Sequence, residues 1–281
     1  MQPLWGGGPL EGRTILLHAE QGFGDTIQFV RYAALVIQRG GDVIVGCPAS
    51  LVALLASCRG INRLAEQADK LPSFDVHAPL PSLPGIFHTS LETIPADVPY
   101  LFADQDLVEQ RRQELRGITG FKIGIAWQGN PKNPNDRNRS ISLRCFEPLA
   151  RCSGVRLLSL QKEAGVDQLQ DVAERFPVTE LGSRLGDFMD TAAVMRNLDL
   201  VITCDTAIAH LAGALGVPVW VALPFVPDWR WLLDRSDSPW YPTMRLFRQE
   251  SRGDWQGVFQ RIEGAVRQRV AGHPVRADNE T

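Results

Sequence analysis

Leu198-Asp199-Leu200-Val201-Ile202-Thr203 is an apolar run that ends in the polar turn Cys204-Asp205-Thr206-Ala207. A helix rich in small residues is predicted over 208–215, where Gly216 ends it, and residues 217–221 predict the next buried strand. The first backbone N–H groups of a helix have no partner within it, so an anion such as a diphosphate binds there. This stretch therefore predicts a strand–turn–helix–strand unit with an anion site at its turn.

A second turn of this kind lies near the N-terminus, where Gly22-Phe23-Gly24-Asp25-Thr26 follows a predicted strand. A dinucleotide fingerprint would require glycine or alanine in place of Ile27, and an acid at the end of the second strand, whereas Asp42 begins it. The turn therefore argues against an NAD site. Asp25 is either an N-cap residue or a general base aimed into a cleft. Two such turns predict a ligand held between two halves.

The composition is that of an ordinary globular protein. The chain has 281 residues, of which 44% are hydrophobic and 22% charged, and this predicts one or two domains. A net charge of −3 argues against a nucleic-acid partner. No stretch has the roughly 20 apolar residues of a transmembrane segment, and no signal peptide is recognised at the start. The five cysteines are scattered without C-x-x-C spacing, which favours a reducing, cytoplasmic setting.

Strand-like and helix-like segments alternate along both halves. The predicted strands cover residues 14–18, 42–46, 74–76, 122–127, 156–160, 200–203 and 217–223. The predicted helices cover residues 26–38, 49–57, 105–115, 142–151, 166–174, 187–197 and 255–270. This order predicts parallel sheets with right-handed crossovers. A proline-containing linker predicts an N-terminal domain of residues 1–105 and a C-terminal domain of residues 106–281, whose last helix packs back towards the first domain.

Four polar clusters follow predicted parallel strands, at the edge where open α/β sheets bind ligands. They are the Asp25 turn, the loop 129–140, the pair Gln161-Lys162 and the segment 205–210. Each cluster also has a purely structural explanation: Asp205 as a helix cap, His210 as a core histidine, the loop as solvated surface. The argument for a site therefore depends on the edge that the clusters share.

Three motifs in this order resemble the ADP-heptose:lipopolysaccharide heptosyltransferase family. They are Ala-Glu-Gln-Gly-Phe-Gly-Asp-Thr at 19–26, Gly-Ile-Ala-Trp-Gln-Gly-Asn at 124–130, and Asp-Thr-Ala-Ile-Ala-His-Leu-Ala-Gly-Ala-Leu-Gly at 205–216. The resemblance covers roughly residues 10–265 and is strongest to the glycosyltransferase-like domains at the C-terminal end of tetratricopeptide-repeat proteins. No such repeats precede the motifs in this chain, as expected of a short member or a fragment. The resemblance implies a GT-B architecture, with two Rossmann-like α/β domains facing each other across a cleft.

The resemblance also implies roles for individual residues. It makes Asp25 the catalytic base and implies neither a metal ion nor a cofactor. The residues implied to bind the donor diphosphate are Thr206, Ala207, His210 and Arg139, with Arg137 as the second choice of basic residue. Those implied to bind the nucleoside are Gln161 and Lys162, and the turns of the cleft are shaped by Gly22, Gly24 and Asp205. The chain departs from the family at three positions: Arg139 replaces the usual lysine, Ile141 the usual tryptophan and Ala207 the usual glycine. These departures leave the identity of the transferred sugar open.

The function implied is an inverting glycosyltransferase that moves a sugar from a nucleotide-diphosphate donor to a glycan or protein acceptor. One alternative is a sugar-nucleotide 2-epimerase, for which His18 and Glu20 would supply further acid–base groups near Asp25. Another is a non-catalytic nucleotide-sugar-binding or interaction domain. The sequence leaves the donor base, the sugar and the acceptor open.

Overall fold

The protein folds around two parallel β-sheets. The computed structural model describes residues 2–67 and 71–272. The first sheet contains β1 (Thr14–His18), β2 (Asp42–Cys47), β3 (Arg63–Glu66) and β4 (Val76–Pro79), in the order β3-β2-β1-β4. The second contains β5 (Phe121–Ala126), β6 (Val155–Ser159), β7 (Thr179–Glu180), β8 (Leu200–Cys204), β9 (Val219–Leu223) and β10 (Met244–Arg248). Its order is β10-β9-β8-β5-β6-β7.

Both strand orders are those of a Rossmann-type sheet. When the strands of each half are numbered from one, the first sheet has the order 3-2-1-4. The second sheet, read from β7 to β10, has the order 3-2-1-4-5-6, with β5 and β8 at its centre. The order of the second sheet is that of dinucleotide-binding folds. All the paired strands are parallel. The predicted α/β class with two Rossmann-like sheets is therefore confirmed.

Helices connect the strands. They are α1 (Phe23–Phe29), α2 (Ala33–Ile37), α3 (Ala49–Leu55), α4 (Leu83–Ile86), α5 (Gln105–Glu114), α6 (Asp136–Arg139), α7 (Glu147–Ala150), α8 (Gln168–Val172), α9 (Phe188–Met195), α10 (Ala207–Ala214) and α11 (Trp255–Ala271). Short 3₁₀ turns cover Val30–Tyr32, Leu80–Ser82, Leu143–Phe146, Gly182–Arg184 and Trp229–Trp231. Among the helices described, none combines the length and the apolar character needed to cross a membrane.

The helix predicted over residues 26–38 is not continuous. It begins already at Phe23, and the 3₁₀ turn Val30–Tyr32 separates α1 from α2. The side chain of Arg31 donates from Nε to the carbonyl oxygen of Gln28 at 2.8 Å. That carbonyl would otherwise serve the α-helical ladder, so the side chain supports the change to the tighter turn.

Three strands have no counterpart in the sequence prediction, namely β3, β7 and β10. β3 and β7 are short edge strands with exposed residues, so they lack an apolar run. The strand predicted over residues 74–76 lies instead at Val76–Pro79. These differences lie at the margins of the sheets, where pairing with a neighbour matters more than local pattern.

The C-terminal helix packs on the second half, so its expected return to the first domain is wrong. Helix α11 contacts α7, β10 and the turn Leu143–Phe146. Its buried side chains include Phe259, whose ring lies 4.6 Å from that of Phe146, measured between centroids. The apolar stripe of α11 covers one face of the second sheet, and burying it there removes it from water.

A buried arginine connects the two halves. Nη1 of Arg31 donates to the carbonyl oxygens of Pro95 at 3.0 Å and Trp240 at 2.8 Å, and Nη2 donates to the Tyr100 hydroxyl at 2.8 Å. The backbone N–H of Tyr100 donates to Ala214 O at 3.1 Å. One apolar core runs through both halves around these groups. Helix α5 packs against α9 of the second half, and a domain boundary at residues 105/106 stays a prediction.

Candidate active site

The polar clusters lie at the carboxyl edges of the two sheets. The turn of Asp25 leads from β1 into α1, and the turn of Thr206 leads from β8 into α10. The loop with Arg139 follows β5, the strand next to β8. Connections on the two sides of the β5–β8 pair depart in opposite directions, which opens a crevice at the strand ends. The clusters of the second half therefore lie together at the carboxyl edge of the second sheet, as the sequence predicts, and ligand binding at that edge stays a prediction.

The two glycine- and small-residue turns are in direct contact. A Cβ atom placed on Gly24 would lie 2.8 Å from Cδ2 of His210 and 3.5 Å from Cα of Ala207. Real Cβ atoms do not approach a ring carbon so closely, so the contact requires glycine at this position. The start of α1 in the first half therefore lies against the start of α10 in the second.

Asp25 occupies the third position of α1. The helix is capped by Gly22, so the interpretation of Asp25 as an N-cap residue is wrong. Its Oδ2 accepts a hydrogen bond from Gly22 N at 2.9 Å, as the acid of a capping box does. Its Oδ1 accepts one from Nη2 of Arg230. Both oxygens of a side chain that is only 19% exposed are thus already engaged.

Arg230 is a site residue that the sequence analysis missed. It lies in the turn Trp229–Trp231 between β9 and β10. Nε donates to Gln28 Oε1 at 2.6 Å and Nη1 to Asp228 Oδ1 at 2.9 Å, in addition to the bond to Asp25. Its position after a parallel strand is the signal that could have identified it, because that edge carries the other clusters.

His210 is buried between aromatic rings. Its Nδ1 lies 2.9 Å from the Tyr241 hydroxyl, and its ring stacks on Trp231 with 5.3 Å between centroids. Burial, together with the positive charges of Arg230, Arg31 and Arg139, lowers the pKa of His210 well below its usual value. The imidazole is therefore neutral at pH 7. Its Nε2 faces Gly24 and makes no hydrogen bond within residues 2–67 and 71–272.

Thr206, not Asp205, caps α10. Thr206 has extended backbone angles, and its carbonyl oxygen accepts from the N–H of Ala209 at 3.0 Å. Its side chain makes no capping bond, so its hydroxyl does not satisfy the first N–H groups of α10. Its hydroxyl lies 3.4 Å from that of Thr203. Asp205 is buried, which raises its pKa against the opposing effects of the Trp231 indole, Arg139 and Arg230. The capping role predicted for Asp205 is wrong, and its carboxyl belongs to the inner wall of the site.

The structure separates the two candidate arginines of the loop after β5. Arg139 at the end of α6 is largely buried, and its Nε lies 3.4 Å from Asp136 Oδ1. Its charge acts to lower the pKa of both Asp205 and His210, so it lies within electrostatic reach of the start of α10. Arg137 on the same short helix is exposed. The geometry therefore favours Arg139 over Arg137 as the cation for a diphosphate.

Gln161 and Lys162 are bound to the protein's own backbone. The oxygen of the Gln161 amide accepts from the N–H groups of Trp127 and Gln128, at 2.9 and 3.0 Å. Its nitrogen donates to Gln128 O and Ala164 O, both at 2.9 Å. Lys162 Nζ donates to Gly186 O at 2.6 Å. Gln161 thus holds together the loops after β5 and β6, and the nucleoside-binding role of both residues stays a prediction.

His18 and Glu20 form a separate group. His18 Nε2 lies 3.1 Å from His77 Nδ1, and its Nδ1 lies 3.6 Å from Glu20 Oε1. The two histidines line a cavity of about 310 Å³ together with Leu16 and Phe74. These residues bond to each other rather than to Asp25. Within the described ranges, no group of three or more His, Cys, Asp or Glu side chains could hold a metal ion, and metal independence stays a prediction.

The lowered pKa of His210 predicts a pH-dependent stability. The unfolded chain binds a proton near pH 6.5 and the folded chain only at lower pH, so the free energy of unfolding falls as the pH drops below about 6.5. One such group contributes a slope of up to about 1.4 kcal/mol per pH unit. Urea unfolding between pH 7.5 and 5.5 should show a smaller slope in His210→Gln than in the wild type. An unchanged slope would contradict the burial of a neutral imidazole, since His18, whose pKa is also lowered, is kept in both proteins.

Part of the chain is similar to a known protein family. Residues 150–223 match the model of glycosyltransferase family 9 (heptosyltransferase). This segment includes β8, the start of α10 and β9. A curated relative, Protein FlbA of Caulobacter vibrioides, is 25% identical in an alignment 291 positions long, gaps included, that covers 94% of this chain and 48% of FlbA. The chain therefore spans about half the length of the curated relative that it matches.

Solved structures of glycosyltransferases share the whole fold. A family 9 glycosyltransferase from Veillonella parvula superposes with a TM-score of 0.68 at 12% identity, covering 96% of this chain and 100% of that one. The E. coli ADP-heptose lipopolysaccharide heptosyltransferase II gives 0.63 at 12% identity, with coverages of 91% and 99%. E. coli heptosyltransferase WaaC with ADP gives 0.56 at 12% identity, with coverages of 89% and 99%. The GT-B-like architecture is thus confirmed, with two Rossmann-like sheets.

Proposed function

We propose that this chain is an inverting glycosyltransferase that moves a sugar from a nucleotide-diphosphate donor to a hydroxyl of a glycan or protein acceptor. The observation that carries the proposal is the contact of Gly24 with His210 and Ala207. It brings a carboxylate, Asp25, next to the anion-binding start of α10. Such a reaction needs a general base on one side of the anomeric carbon and groups that bind the leaving diphosphate on the other.

In the proposed reaction, the hydroxyl oxygen of the acceptor attacks the anomeric carbon of the sugar, and Asp25 takes up the proton that this hydroxyl loses. The bond from that carbon to the diphosphate breaks, and attack from the opposite side inverts the configuration. Negative charge develops on the diphosphate. Arg139, the first N–H groups of α10 and the dipole of that helix would stabilise this charge.

The donor and acceptor are finer parts of the proposal. A structural relative is named as acting on ADP-heptose and lipopolysaccharide, so ADP-linked sugars come first among candidate donors. Gln161 and Lys162 follow β6 at the same sheet edge, which supports a place for them beside the nucleoside. The association with tetratricopeptide repeats, the cytoplasmic location and metal independence remain predictions.

The two alternative functions, epimerase and binding domain, differ from glycosyl transfer in what happens to the sugar nucleotide when no acceptor is present. A 2-epimerase would isomerise the sugar nucleotide alone, and a binding domain would hold it unchanged over a panel of acceptors. Incubation of ADP-, GDP-, UDP- and dTDP-linked sugars with the protein, with and without acceptor, separates these outcomes. Transfer only in the presence of an acceptor supports the glycosyltransferase.

The diphosphate site is tested by ligand-induced stabilisation. A nucleoside diphosphate at 100 times its dissociation constant should raise the free energy of unfolding by about 2.7 kcal/mol, so a thermal-shift screen of ADP, GDP, UDP and dTDP identifies the base. Arg139→Ala should then weaken binding by about 10- to 150-fold, since a charge-assisted contact contributes roughly 1.5–3 kcal/mol. His210→Ala should weaken it as well. Arg137→Ala on the same helix is the matched control and should bind as the wild type does. Unchanged affinity in both Arg139→Ala and His210→Ala would place the diphosphate elsewhere.

A further inference from the structure

One guanidinium ties the proposed base to the opposite half of the molecule. Arg230 donates to Asp25 Oδ1, to Gln28 Oε1 at 2.6 Å and to Asp228 Oδ1 at 2.9 Å. Asp25 and Gln28 belong to α1, whereas Arg230 and Asp228 belong to the loop after β9. The Arg230 side chain is only 11% exposed. It forms a planar fork in which each bond reaches a different side chain.

This pairing occupies the oxygen that catalysis needs. Oδ2 of Asp25 is bound to the Gly22 N–H within its own helix turn, so it orients the carboxylate. Oδ1 is bound by Arg230 alone among the residues that the structure describes. A general base must turn a free lone pair towards the hydroxyl whose proton it takes. Arg230 engages one of the two lone pairs of Oδ1 and lies directly against that oxygen, so it competes with an acceptor hydroxyl for the carboxylate.

A diphosphate offers the Arg230 guanidinium a second kind of anionic partner. Trp231, the next residue, stacks on His210 of α10, and Arg230 itself binds Asp25, whose neighbour Gly24 lies against His210 and Ala207. The charge of Arg230 also acts on Asp205 and His210, on either side of Thr206. A guanidinium matches the geometry of phosphate oxygens. A diphosphate bound there would therefore compete with Asp25 for the same cation.

The observed arrangement leaves its own polar groups incompletely satisfied. Nε2 of Gln28, on the amide that binds Arg230, is buried and has no hydrogen-bond partner in the described parts of the chain. In the loop that carries Arg230, Leu232 has a φ of 54°, a backbone angle that is unfavourable for a bulky side chain. Both features cost free energy, so a second arrangement of the Arg230 side chain is within reach when a ligand compensates for the lost bonds.

We propose that Arg230 is a donor-binding residue that also gates the base. In the donor-free protein it holds Asp25, and when a nucleotide-diphosphate donor binds, its guanidinium moves to the diphosphate and frees Oδ1 of Asp25. The base is then available only when a donor is in place. The proposal deepens the proposed function and rests on it.

A double-mutant cycle on ligand affinity tests this gate. The dissociation constants of ADP, GDP, UDP and dTDP are measured by calorimetry for the wild type, Asp25→Asn, Arg230→Gln and the double variant. Because ligand and Asp25 compete for Arg230, Asp25→Asn should tighten binding by about fivefold or more. Arg230→Gln should weaken it by about tenfold or more. In the Arg230→Gln background, Asp25→Asn should change the affinity by less than about twofold.

The alternatives give different results. Equal tightening by Asp25→Asn in both backgrounds would indicate plain repulsion between Asp25 and the ligand and would overturn the gate. So would an Arg230→Gln protein that binds as tightly as the wild type. A wild-type protein that binds none of the four nucleoside diphosphates would instead refute the proposed function, and the gate with it.

A control cycle at a second ion pair and a conservative variant of Arg230 complete the experiment. Arg235 pairs with Asp237 in the same loop, with Nε 2.8 Å from Oδ1, so the cycle of Arg235→Gln and Asp237→Asn is the matched control and should not alter affinity. If Arg230→Gln does not fold, Arg230→Lys replaces it. Lysine keeps the charge but cannot reach Asp25, Gln28 and Asp228 together, so the tightening by Asp25→Asn should shrink. An undiminished tightening in that background would overturn the proposal.

Discussion

Asp25→Asn is expected to reduce sugar transfer by at least about 10²–10⁴-fold, the usual contribution of a general base. Asparagine keeps the size of the side chain and can still accept the Gly22 N–H through its oxygen. It cannot take up a proton at neutral pH, so the chemical step should fail while nucleoside-diphosphate binding is not weakened. Turnover is measured with the donor identified by the thermal-shift screen, and affinity by calorimetry on the same preparation.

A matched control separates chemistry from helix capping. Asp254 caps α11, where its Oδ1 accepts from Gly257 N at 2.8 Å. Asp254→Asn changes the same kind of group in a capping role at another helix, so its turnover should stay near that of the wild type. Near-normal turnover in Asp25→Asn would remove Asp25 from the role of base, whatever the donor proves to be.

Arg31→Met is expected to lower the free energy of unfolding by about 3–5 kcal/mol, a larger loss of stability than any of the other substitutions should cause, because several acceptors lose one shared donor. It leaves the buried carbonyl oxygens of Gln28 and Trp240, and the half-buried one of Pro95, without their shared donor. Each unsatisfied buried group costs roughly 1–3 kcal/mol. Methionine fills much of the volume, so the loss reports mainly on the hydrogen bonds. Urea unfolding at pH 7 measures the effect.

Arg59→Met is the control for this change, because Arg59 is exposed. It should shift the free energy of unfolding by no more than about 0.5 kcal/mol. A similar small shift in Arg31→Met would mean that water or rearrangement satisfies the three carbonyls. The two halves would then be held together mainly by the apolar core that they share.

Local patterns were enough to predict the central strands. β1 was predicted at the residues where it lies, and β5, β6, β8 and β9 to within a few residues. These strands are apolar runs bounded by glycine, proline or polar turns, so short-range pattern and burial agree. The edge strands β3 and β7 could not be predicted in this way, because the hydrogen bonds that define them come from a neighbouring strand.

The sequence by itself determined the position of the turns. Gly24 and the small residues that begin α10 permit close approach of backbone to backbone, and the order of strands and helices places both turns at carboxyl edges. The choice of Asp25, Thr206 and Arg139 within these clusters came from the resemblance to the heptosyltransferase family.

Only the tertiary structure decided what each of these side chains contacts. Asp25 and Arg230 are 205 positions apart in the chain, and the strand order, the course of the loop after β9 and the stacking of Trp231 on His210 together bring them into one ion pair. No periodicity or spacing encodes such a meeting, because it depends on how two separately formed sheets pack. Within the second half, tertiary contacts likewise bind Gln161 to the backbone of two loops and pack α11 on the second sheet, and Thr206 rather than Asp205 caps α10.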